Sequence, residues 1–493
     1  MKAVEASAFA SGVSTGDLMD DAGLQIANAV KQFFPTPGRC MVFFGKGHNG
    51  GDALVAARHL VAQGWIIDLL PTFPDDQLAP LTRQKYGDLL SPEARQRKNV
   101  QPVFENAAPR PFIVLDGLLG IGGDGALRDP VRNAACEINR RRASSDARVF
   151  AIDLPSGLNA DTGEADADCV VADFTLAIGF VKKGLLADNA TNFAGRLCIL
   201  PLEKFSAHAT AADSSSSVAT GSSLATLLPR RKFDSHKTEY GRVGIIAGSA
   251  GMCGAARLCA EGALRAGAGL VTLYAMKDIQ SLLAASMRPE IMVKELASYR
   301  DLLDSKLDII AIGPGIGHKN TNGAMHVVKR STLPMVVDAD ALNMLSANKL
   351  LLDSFAGPRL LTPHPGEMHR LFNTTGSSRR QVVEKFTTRY PVTLLFKGAR
   401  TLVGEKNRAF SYNSTGSPGM AGGGMGDVLT GVCAALIAQR LSCYDAARLG
   451  AWVCGRAGEL AICNSVQNEE SLAAADVLEN LGTAFKQLRA GCF

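Results

Sequence analysis

Several features that would assign this chain to a special class of protein are scarce or missing. Aromatic residues make up only 6% of its 493 residues, and its 11 cysteines form no C-x-x-C pair. Scattered cysteines without a framework indicate reduced thiols, so we predict a cytoplasmic protein. There is no run of about twenty uncharged apolar residues, and the first residues lack the apolar core of a secretion signal. We therefore expect neither a membrane span nor export.

The chain also has no large excess of positive or negative charge. The formal net charge is +5, and the basic run Arg140-Arg141-Arg142 is expected to be a solvated helix end and not a nucleic-acid patch. We therefore predict small-molecule substrates as partners, and neither nucleic acid nor a membrane. Glycine, in contrast, is abundant at 50 residues, which is typical of nucleotide-handling α/β proteins.

One segment divides the chain. Residues 206–223, SAHATAADSSSSVATGSS, contain almost no large apolar side chains. Such a segment cannot bury enough surface to order itself, and we predict a flexible linker between domains at 1–205 and 224–493.

Each part of the chain alternates between apolar runs and helical periods. Buried strands are predicted in the first part at Cys40–Phe44, Trp65–Leu70, Phe112–Leu115, Val149–Ile152, Phe174–Ile178 and Leu197–Leu200. In the second part they are predicted at Val243–Ala247, Leu270–Tyr274, Ile309–Ile312, Met335–Val337, Leu360–Leu361 and Thr393–Phe396. This pattern predicts an α/β fold in which mostly parallel sheets bind ligands beyond the carboxyl ends of their strands.

In the first part, a glycine-rich turn, GKGHNGGD at 45–52, separates a strand from a helix. Such a turn can bind phosphate through its backbone amides. Two further strands end at Asp116 and at Asp153, the latter in the segment DLPSG. Asn49, Asp116 and Ser156 supply hard oxygen donors suited to K⁺ or Mg²⁺, which leaves Asp153 for acid–base chemistry.

In the second part, the segment GGGMGD at 422–427 leads into an apolar helix. Its amides and the positive helix end suit a phosphoryl group, and Asp427 could act on a neighbouring hydroxyl as a base or orient it. Four more polar or glycine-rich segments follow predicted strands: GPGIG at 313–317, DADALN at 338–343, HPGE at 364–367 and KGART at 397–401. Together they predict a nucleotide and a substrate that meet over one sheet.

The first part resembles the NAD(P)H-hydrate epimerases in the segments GKGHNGGDALVAAR, DGLLGIGGDG, AIDLPSGL and ADFTLAIGFVKKGLL. His48 and Ala53 depart from the family pattern, which has Asn and Gly there. The resemblance implies a Rossmann-like three-layer sandwich that interconverts the R and S forms of hydrated NADH and NADPH. It also implies K⁺ bound by Asn49, Asp116 and Ser156, with Asp153 as the catalytic residue. The residues implied to contact the substrate are His48, Asn49, Gly50, Gly51, Asp52, Gly120, Ile121, Gly122, Gly123, Asp124, Gly125, Ala126 and Asp153.

The second part is similar to the ADP-dependent NAD(P)H-hydrate dehydratases, a branch of the ribokinase-like fold, in the segments GPGIG, DADALN, LTPHPGEMHRL and GMAGGGMGDVLTG. The resemblance implies that ADP binds with Mg²⁺ and that Asp427 is the catalytic residue. The residues implied to hold the hydrated nucleotide are Gly315, His364 and Asp427. Those implied to hold the adenine nucleotide are Lys397, Gly398, Ala399, Arg400, Thr401 and Gly426.

Both resemblances together imply a metabolite-repair enzyme, and we expect it to form homo-oligomers. Two alternatives remain open at this point. The second part could be a small-molecule kinase of the ribokinase class, which would release a stable phosphorylated product. The first part could be a non-catalytic module for nucleotide binding or oligomerisation.

Overall fold

The computed structural model describes residues 7, 10–90, 111–122, 125–202, 215–303, 305–463 and 467–492. The chain divides into two units, Met1–Ala212 and Asp213–Cys492. Each unit is built around its own sheet, and the α/β class predicted from the apolar runs is confirmed.

The first unit has a six-stranded sheet in which neighbouring strands are all parallel, in the order 2-1-3-4-5-6. Its strands are β1 (Arg39–Phe44), β2 (Ile66–Pro71), β3 (Phe112–Gly117), β4 (Arg148–Ile152), β5 (Phe174–Ile178) and β6 (Arg196–Leu200). Its helices are α1 (Thr15–Phe33), α2 (His48–Ala62), α3 (Pro80–Leu90), α4 (Val131–Ser144) and α5 (Thr191–Ala194). All six strands predicted in this part are confirmed.

The two faces of this sheet are covered by different helices, because successive side chains of a strand point to opposite faces. From β1, Val42 and Phe44 pack into a core with residues of α1 and α2. Met41 and Phe43 of the same strand pack into a second core with α4. The unit is therefore the predicted three-layer sandwich.

The second unit has a ten-stranded sheet in the order 10-9-8-11-12-13-14-15-16-7. Strands from β10 to β14 are parallel, and β15 is antiparallel to both of its neighbours. The strands are β7 (Ser216–Ala219), β8 (Arg242–Ile246), β9 (Leu270–Ala275), β10 (Ile291–Glu295), β11 (Ile309–Ile312), β12 (Met335–Val337), β13 (Arg359–Leu361), β14 (Thr393–Phe396), β15 (Leu402–Gly404) and β16 (Phe410–Asn413). The helices are α6 (Gly221–Ala225), α7 (Cys253–Arg265), α8 (Lys277–Ser286), α9 (Thr321–Arg330), α10 (Ala339–Ala347), α11 (Pro365–Leu371), α12 (Arg379–Arg389), α13 (Met425–Ala438), α14 (Cys443–Cys463) and α15 (Ala474–Arg489).

The predicted linker is wrong in its C-terminal part. Strand β7 pairs in parallel with β16, and α6 follows with Thr220 as its N-cap. An edge strand takes its backbone hydrogen bonds from its neighbour, so a polar segment can be ordered without large apolar side chains of its own. The remainder of the predicted linker, residues 206–214, lies outside the described residues.

Helix α13 passes through the interior of the second unit, where all residues from Val428 to Ala438 are buried. It lies very close to α7: a Cβ added at Gly431 would come within 1.9 Å of the Cys259 carbonyl oxygen. Only glycine permits this approach. The packing holds the first turn of α13, which contains Asp427, in place beside the sheet.

Candidate active sites

The first candidate site lies where the strand order of the first sheet reverses. Strand β1 has β2 on one side and β3 on the other, and the loops that leave its carboxyl end and that of β3 therefore diverge. In open α/β sheets such a point forms the ligand crevice. The glycine-rich turn after β1 leads directly into α2, which begins at His48.

A pocket of about 560 Å³ occupies this position. Its wall consists of the start of α1, the turn before α2, the loop after β3 and the ends of β4 and β5. Among the predicted substrate contacts, the pocket is lined by His48, Asn49, Asp52, Gly120, Ile121, Gly122 and Asp153. Gly50, Gly51, Gly125 and Ala126 do not line it, and Gly123 and Asp124 lie outside the described residues.

Gly50 and Gly51 are needed for packing. A Cβ at Gly50 would lie 2.2 Å from the Gly45 carbonyl oxygen, and one at Gly51 would lie 2.4 Å from the Met19 side chain. Larger residues would push the start of α2 away from the sheet. A substrate contact through their backbone amides stays a prediction.

Asp153 is held at the pocket by a lysine. It follows β4 with a left-handed φ of 67°, a conformation that non-glycine residues seldom adopt and that often marks a functional site. The Lys182 ammonium donates a short hydrogen bond to Asp153 Oδ1, and the Ile178 N–H donates to the same oxygen over 3.1 Å. Lys182 also donates to the Ile178 carbonyl oxygen over 3.1 Å. Both charged side chains are buried, which gives a compensated ion pair at the wall of the pocket.

A second carboxyl group, that of Asp52, lines the same pocket. Burial is the largest cause that raises its pKa well above the usual range, and the negative charge of Asp153 raises it further. The Lys182 ammonium lowers the pKa but does not cancel these effects. The pocket wall therefore contains one aspartate paired with a lysine and a second aspartate whose surroundings favour the neutral form.

The three predicted cation ligands are joined in one network. Asp116 is fully buried and accepts hydrogen bonds from Ser156 Oγ (2.7 Å) and Ser156 N (2.8 Å). The Leu119 N–H donates to Ser156 Oγ over 3.0 Å, and Asn49 Nδ2 donates to the Leu119 carbonyl oxygen over 2.8 Å. Burial raises the pKa of Asp116 to about 6, although the hydrogen bonds from Ser156 oppose that rise.

The second candidate site lies at the corresponding point of the second sheet, where β8 has β9 on one side and β11 on the other. The loops after β8 and β11 are joined: the Gly248 N–H donates to the Pro314 carbonyl oxygen, and Ser249 Oγ donates to the Gly315 carbonyl oxygen, each over 2.8 Å. Gly315 has a φ of 61°. The Gly317 N–H binds Asp340 Oδ2 over 2.9 Å, which ties in the loop after β12.

A buried ion pair lies at the centre of this site. Lys397 Nζ is 2.7 Å from Asp338 Oδ1 and 3.9 Å from Glu367 Oε2. The other oxygen of Asp338 accepts a hydrogen bond from Thr430 Oγ1 of α13 over 2.8 Å. A Cβ at Gly426 would lie 3.2 Å from Lys397 Nζ, so two predicted nucleotide-binding positions are neighbours in space.

Asp427 stands in the first turn of α13 beside this pair. The helix starts after Gly424, which has a left-handed φ of 87°. Burial, together with the charges of Asp338 and Asp340, raises the pKa of Asp427 to about 7 against the opposing effect of Lys397. An aspartate that titrates near neutral pH is suited to act as a general base there.

The remaining predicted nucleotide contacts form a loop held by an arginine of α12. Arg379 donates to the carbonyl oxygens of Ala399 (2.5 Å), Phe396 (2.9 Å) and Lys397 (3.1 Å). Arg400 in the same loop has a φ of 53°, and Thr401 Oγ1 closes the loop by donating to the Gly398 carbonyl oxygen. Arg379 therefore holds the loop in shape, although it lies outside the segment 397–401 that was predicted from the sequence.

His364 caps the helix that follows β13. Its Nδ1 accepts the Gly366 N–H over 3.0 Å, while Glu367 Oε2 accepts the His364 N–H over 2.8 Å. This reciprocal cap requires Nδ1 to be unprotonated. It sets the orientation of the imidazole, whose predicted contact with the substrate stays a prediction.

Comparison with known proteins agrees with this geometry. Residues 15–184 match the family described as YjeF-related protein N-terminus, and residues 243–480 match NAD(P)H-hydrate dehydratase. The chain is 34% identical to the bifunctional NAD(P)H-hydrate repair enzyme Nnr of Moorella thermoacetica, over 96% of this chain and 92% of that protein. It is 33% identical to Nnr of Coxiella burnetii, over 98% and 97%. The chain belongs to the family of bifunctional NAD(P)H-hydrate repair enzymes.

Solved structures support the fold of this repair enzyme. A ribokinase-like superfamily protein from Enterococcus faecalis superposes with a TM-score of 0.50 at 24% identity, covering 57% of this chain and 99% of that one. The predicted ribokinase-like fold is confirmed, as is a bifunctional enzyme with an epimerase and an ADP-dependent dehydratase. No helix among the described residues is long and apolar enough to cross a membrane.

Three side chains that organise the two sites of the repair enzyme were missed from the sequence. Lys182 lies in the segment ADFTLAIGFVKKGLL, but its sequence neighbours do not indicate that it pairs with Asp153. Thr430 reads as an ordinary residue of an apolar helix. Arg379 lies at the start of a polar helix in which the sequence indicates no candidate site residue. In each case only the strand order reveals the contact.

Proposed function

We propose that the pocket of the first unit is the epimerase site and that Asp153 acts there on the hydrated nicotinamide. The supporting observation is the buried Asp153–Lys182 pair in the wall of a pocket large enough for part of a dinucleotide. The ion pair fixes the Asp153 carboxylate at the pocket, where it could accept a proton from the hydroxyl at C6.

We also propose K⁺ as a ligand of this unit. Asn49, Asp116 and Ser156 present hard oxygen donors in one hydrogen-bonded network, and a bound cation would neutralise the otherwise uncompensated Asp116 carboxylate. The ion would fix the loop after β3, which lines the pocket. The oxygen donors of these three side chains are thus of the kind that K⁺ prefers.

In the second unit, we propose that Asp427 activates the C6 hydroxyl of the S hydrate. The hydroxyl oxygen attacks the β-phosphorus of ADP, the bond to the bridging oxygen breaks, and AMP leaves. The Gly422–Gly426 amides and Lys397 would stabilise the transferring charge. Loss of the new phosphate from C6, driven by the ring nitrogen, and of a proton from C5 then restores NAD(P)H.

Mg²⁺ would accompany ADP in this step. Among the described residues, no group of three or more His, Cys, Asp or Glu side chains is placed to hold a metal ion. In nucleotide sites Mg²⁺ is usually held mainly by the phosphates and water. The ion would neutralise charge on the phosphates.

The test is to follow recovery of reduced-nicotinamide absorbance from a mixture of both epimers with ADP, Mg²⁺ and K⁺. We expect full, fast recovery with AMP formed in step. Recovery of the S fraction alone, followed by slow drift, would remove the epimerase assignment and leave the first unit as a binding module. A stable phosphorylated product without NADH would instead indicate a kinase.

Three properties of the chain stay predictions: a cytoplasmic location, the formation of homo-oligomers, and the lack of nucleic-acid or membrane partners. Light scattering coupled to size-exclusion chromatography would determine the oligomeric state.

A further inference from the structure

The epimerase step described above uses one carboxylate, yet the chemistry requires two proton transfers. The hydroxyl-bearing C6 of the hydrate is bonded to the ring nitrogen, so it is a hemiaminal carbon. Inverting it by ring opening requires a base at the hydroxyl and an acid at the nitrogen, and the roles reverse on closure. The pocket of the first unit should therefore contain a proton donor beside Asp153.

Asp52 occupies a suitable place. It lies in the second turn of α2, on the pocket wall formed also by Asp153. Lys182 is already engaged by Asp153 Oδ1 and the Ile178 carbonyl oxygen. Among the described residues, no salt bridge is formed by Asp52, which distinguishes it from its neighbour.

We propose that Asp52 is the proton donor of the epimerase and that it works as a pair with Asp153. Asp153 takes the proton of the C6 hydroxyl, the C6–N1 bond breaks with its electrons moving to N1, and Asp52 protonates N1. The open form holds an aldehyde at C6. After rotation about C5–C6, N1 attacks the other face while both protons return to their starting groups, so no net change of atoms or charge occurs.

The surroundings support this division of roles. Burial and the negative charge of Asp153 both favour the neutral form of Asp52 and raise its pKa, whereas Lys182 acts in the opposite direction. The other charged or titratable side chains of the pocket wall are Lys46 and His48, and α1 contributes Thr15, Leu18, Met19 and Ala22. Two carboxyl groups whose environments separate their protonation states are the usual signature of an acid and a base.

This inference rests on the proposed function and can be tested separately from it. In Asp52→Asn the side chain keeps its shape and neutrality but cannot donate a carboxyl proton. We expect kcat for interconversion of the two hydrates to fall roughly 10²–10⁴-fold, with affinity for the hydrate, measured by calorimetry, nearly unchanged. The fall in the wild-type rate as pH increases through the pKa of Asp52 should be absent from the variant.

Three comparisons complete the experiment. Asp88→Asn, at an exposed position of α3, should keep the wild-type rate, and Asp52→Glu, which retains a proton, should recover part of the loss. ADP-dependent dehydration of the S form by the second unit should continue in all variants, and an unchanged thermal midpoint of the first unit confirms that this unit remains folded. Wild-type kcat in Asp52→Asn, or a loss of affinity alone, would overturn the inference. If the wild-type chain itself fails to interconvert the hydrates, the proposed function of the first unit falls, and this inference with it.

Discussion

The two units of this repair enzyme contain the same combination of charged residues, but the predicted catalytic aspartate is a different member of that combination in each unit. Each contains a buried aspartate paired with a lysine, Asp153 with Lys182 and Asp338 with Lys397. Each also contains a second aspartate whose pKa is raised by burial and by the charge of the first. In the first unit the predicted catalytic group is the paired aspartate, whereas in the second it is the unpaired Asp427.

The difference shows that two aspartates at one candidate site can have different surroundings: one is paired with a lysine, and the pKa of the other is raised by burial and by the charge of the first. A paired aspartate accepts a proton only against the stabilising effect of the ammonium. The pKa of the aspartate beside it is raised, to about 7 in the case of Asp427. The same pair of residue types can therefore supply a fixed charge and a titrating group in one site.

The largest effect is expected from Asp427→Asn. Without its titrating carboxyl group the second unit should lose roughly a thousandfold in the rate of ADP-dependent dehydration, as expected for removal of a general base. Epimerisation by the first unit should be unchanged. The measurement is AMP release with the pure S hydrate, with Asp301→Asn at an exposed position as the matched control. Equal rates in the two variants would contradict the assignment.

Lys182→Met tests the paired aspartate of the first unit. We expect about a hundredfold loss in the rate of epimerisation, since general acid–base catalysis contributes about that much or more, and a lower thermal midpoint because a buried carboxylate is left without its partner. Lys183 is exposed and adjacent, so Lys183→Met provides the control. The two variants are compared by interconversion of the hydrates and by calorimetry. Similar behaviour would show that the ion pair is dispensable.

Arg379→Lys should affect ADP binding. A lysine cannot reach all four carbonyl oxygens that the guanidinium group now contacts. We expect the KM for ADP to rise roughly tenfold, because hydrogen bonds from a charged group contribute about 1.5–3 kcal/mol, while kcat changes little. The effect is measured by steady-state kinetics, with Arg389→Lys at the other end of α12 as the control variant. A fall in kcat at unchanged KM would disagree with a role in shaping the loop.

The smallest expected effect concerns the pH dependence of the dehydration rate. Ionised Asp427 is required as a base, so the dehydration rate should rise as pH increases through about 7. Asp340 is one of the negative charges that raise this pKa. In Asp340→Asn the pKa of Asp427 should fall, and the midpoint of the pH–rate profile should move to lower pH by a few tenths of a unit, roughly. A midpoint that stays or rises would show that Asp340 does not act on Asp427.

Much of the fold could be predicted because its signals are local. The twelve predicted strands all occur in the structure, with ends that differ from the prediction by at most two residues. All of them are largely buried except β2, which is only partly buried. Strands β7, β10, β15 and β16 were missed. The exposed side chains of β10 include Lys294 and Glu295, and β15 contains only Leu402–Gly404. Such segments become strands because a neighbour supplies their hydrogen bonds, and a single-sequence pattern does not record that neighbour.

By itself, the sequence determined that the chain has two α/β domains and which glycine-rich and polar loops follow their strands, because strand periodicity and glycine-rich turns are properties of neighbouring residues. Only the tertiary structure decided the electrostatic partners. Lys182 is 29 positions from Asp153, and Lys397 is 59 positions from Asp338. The first pair follows the adjacent strands β4 and β5, whereas the second follows β12 and β14, which lie on either side of β13. Burial then sets the proton affinities of Asp52 and Asp427, because the cost of removing a charge from water exists only once the core has formed.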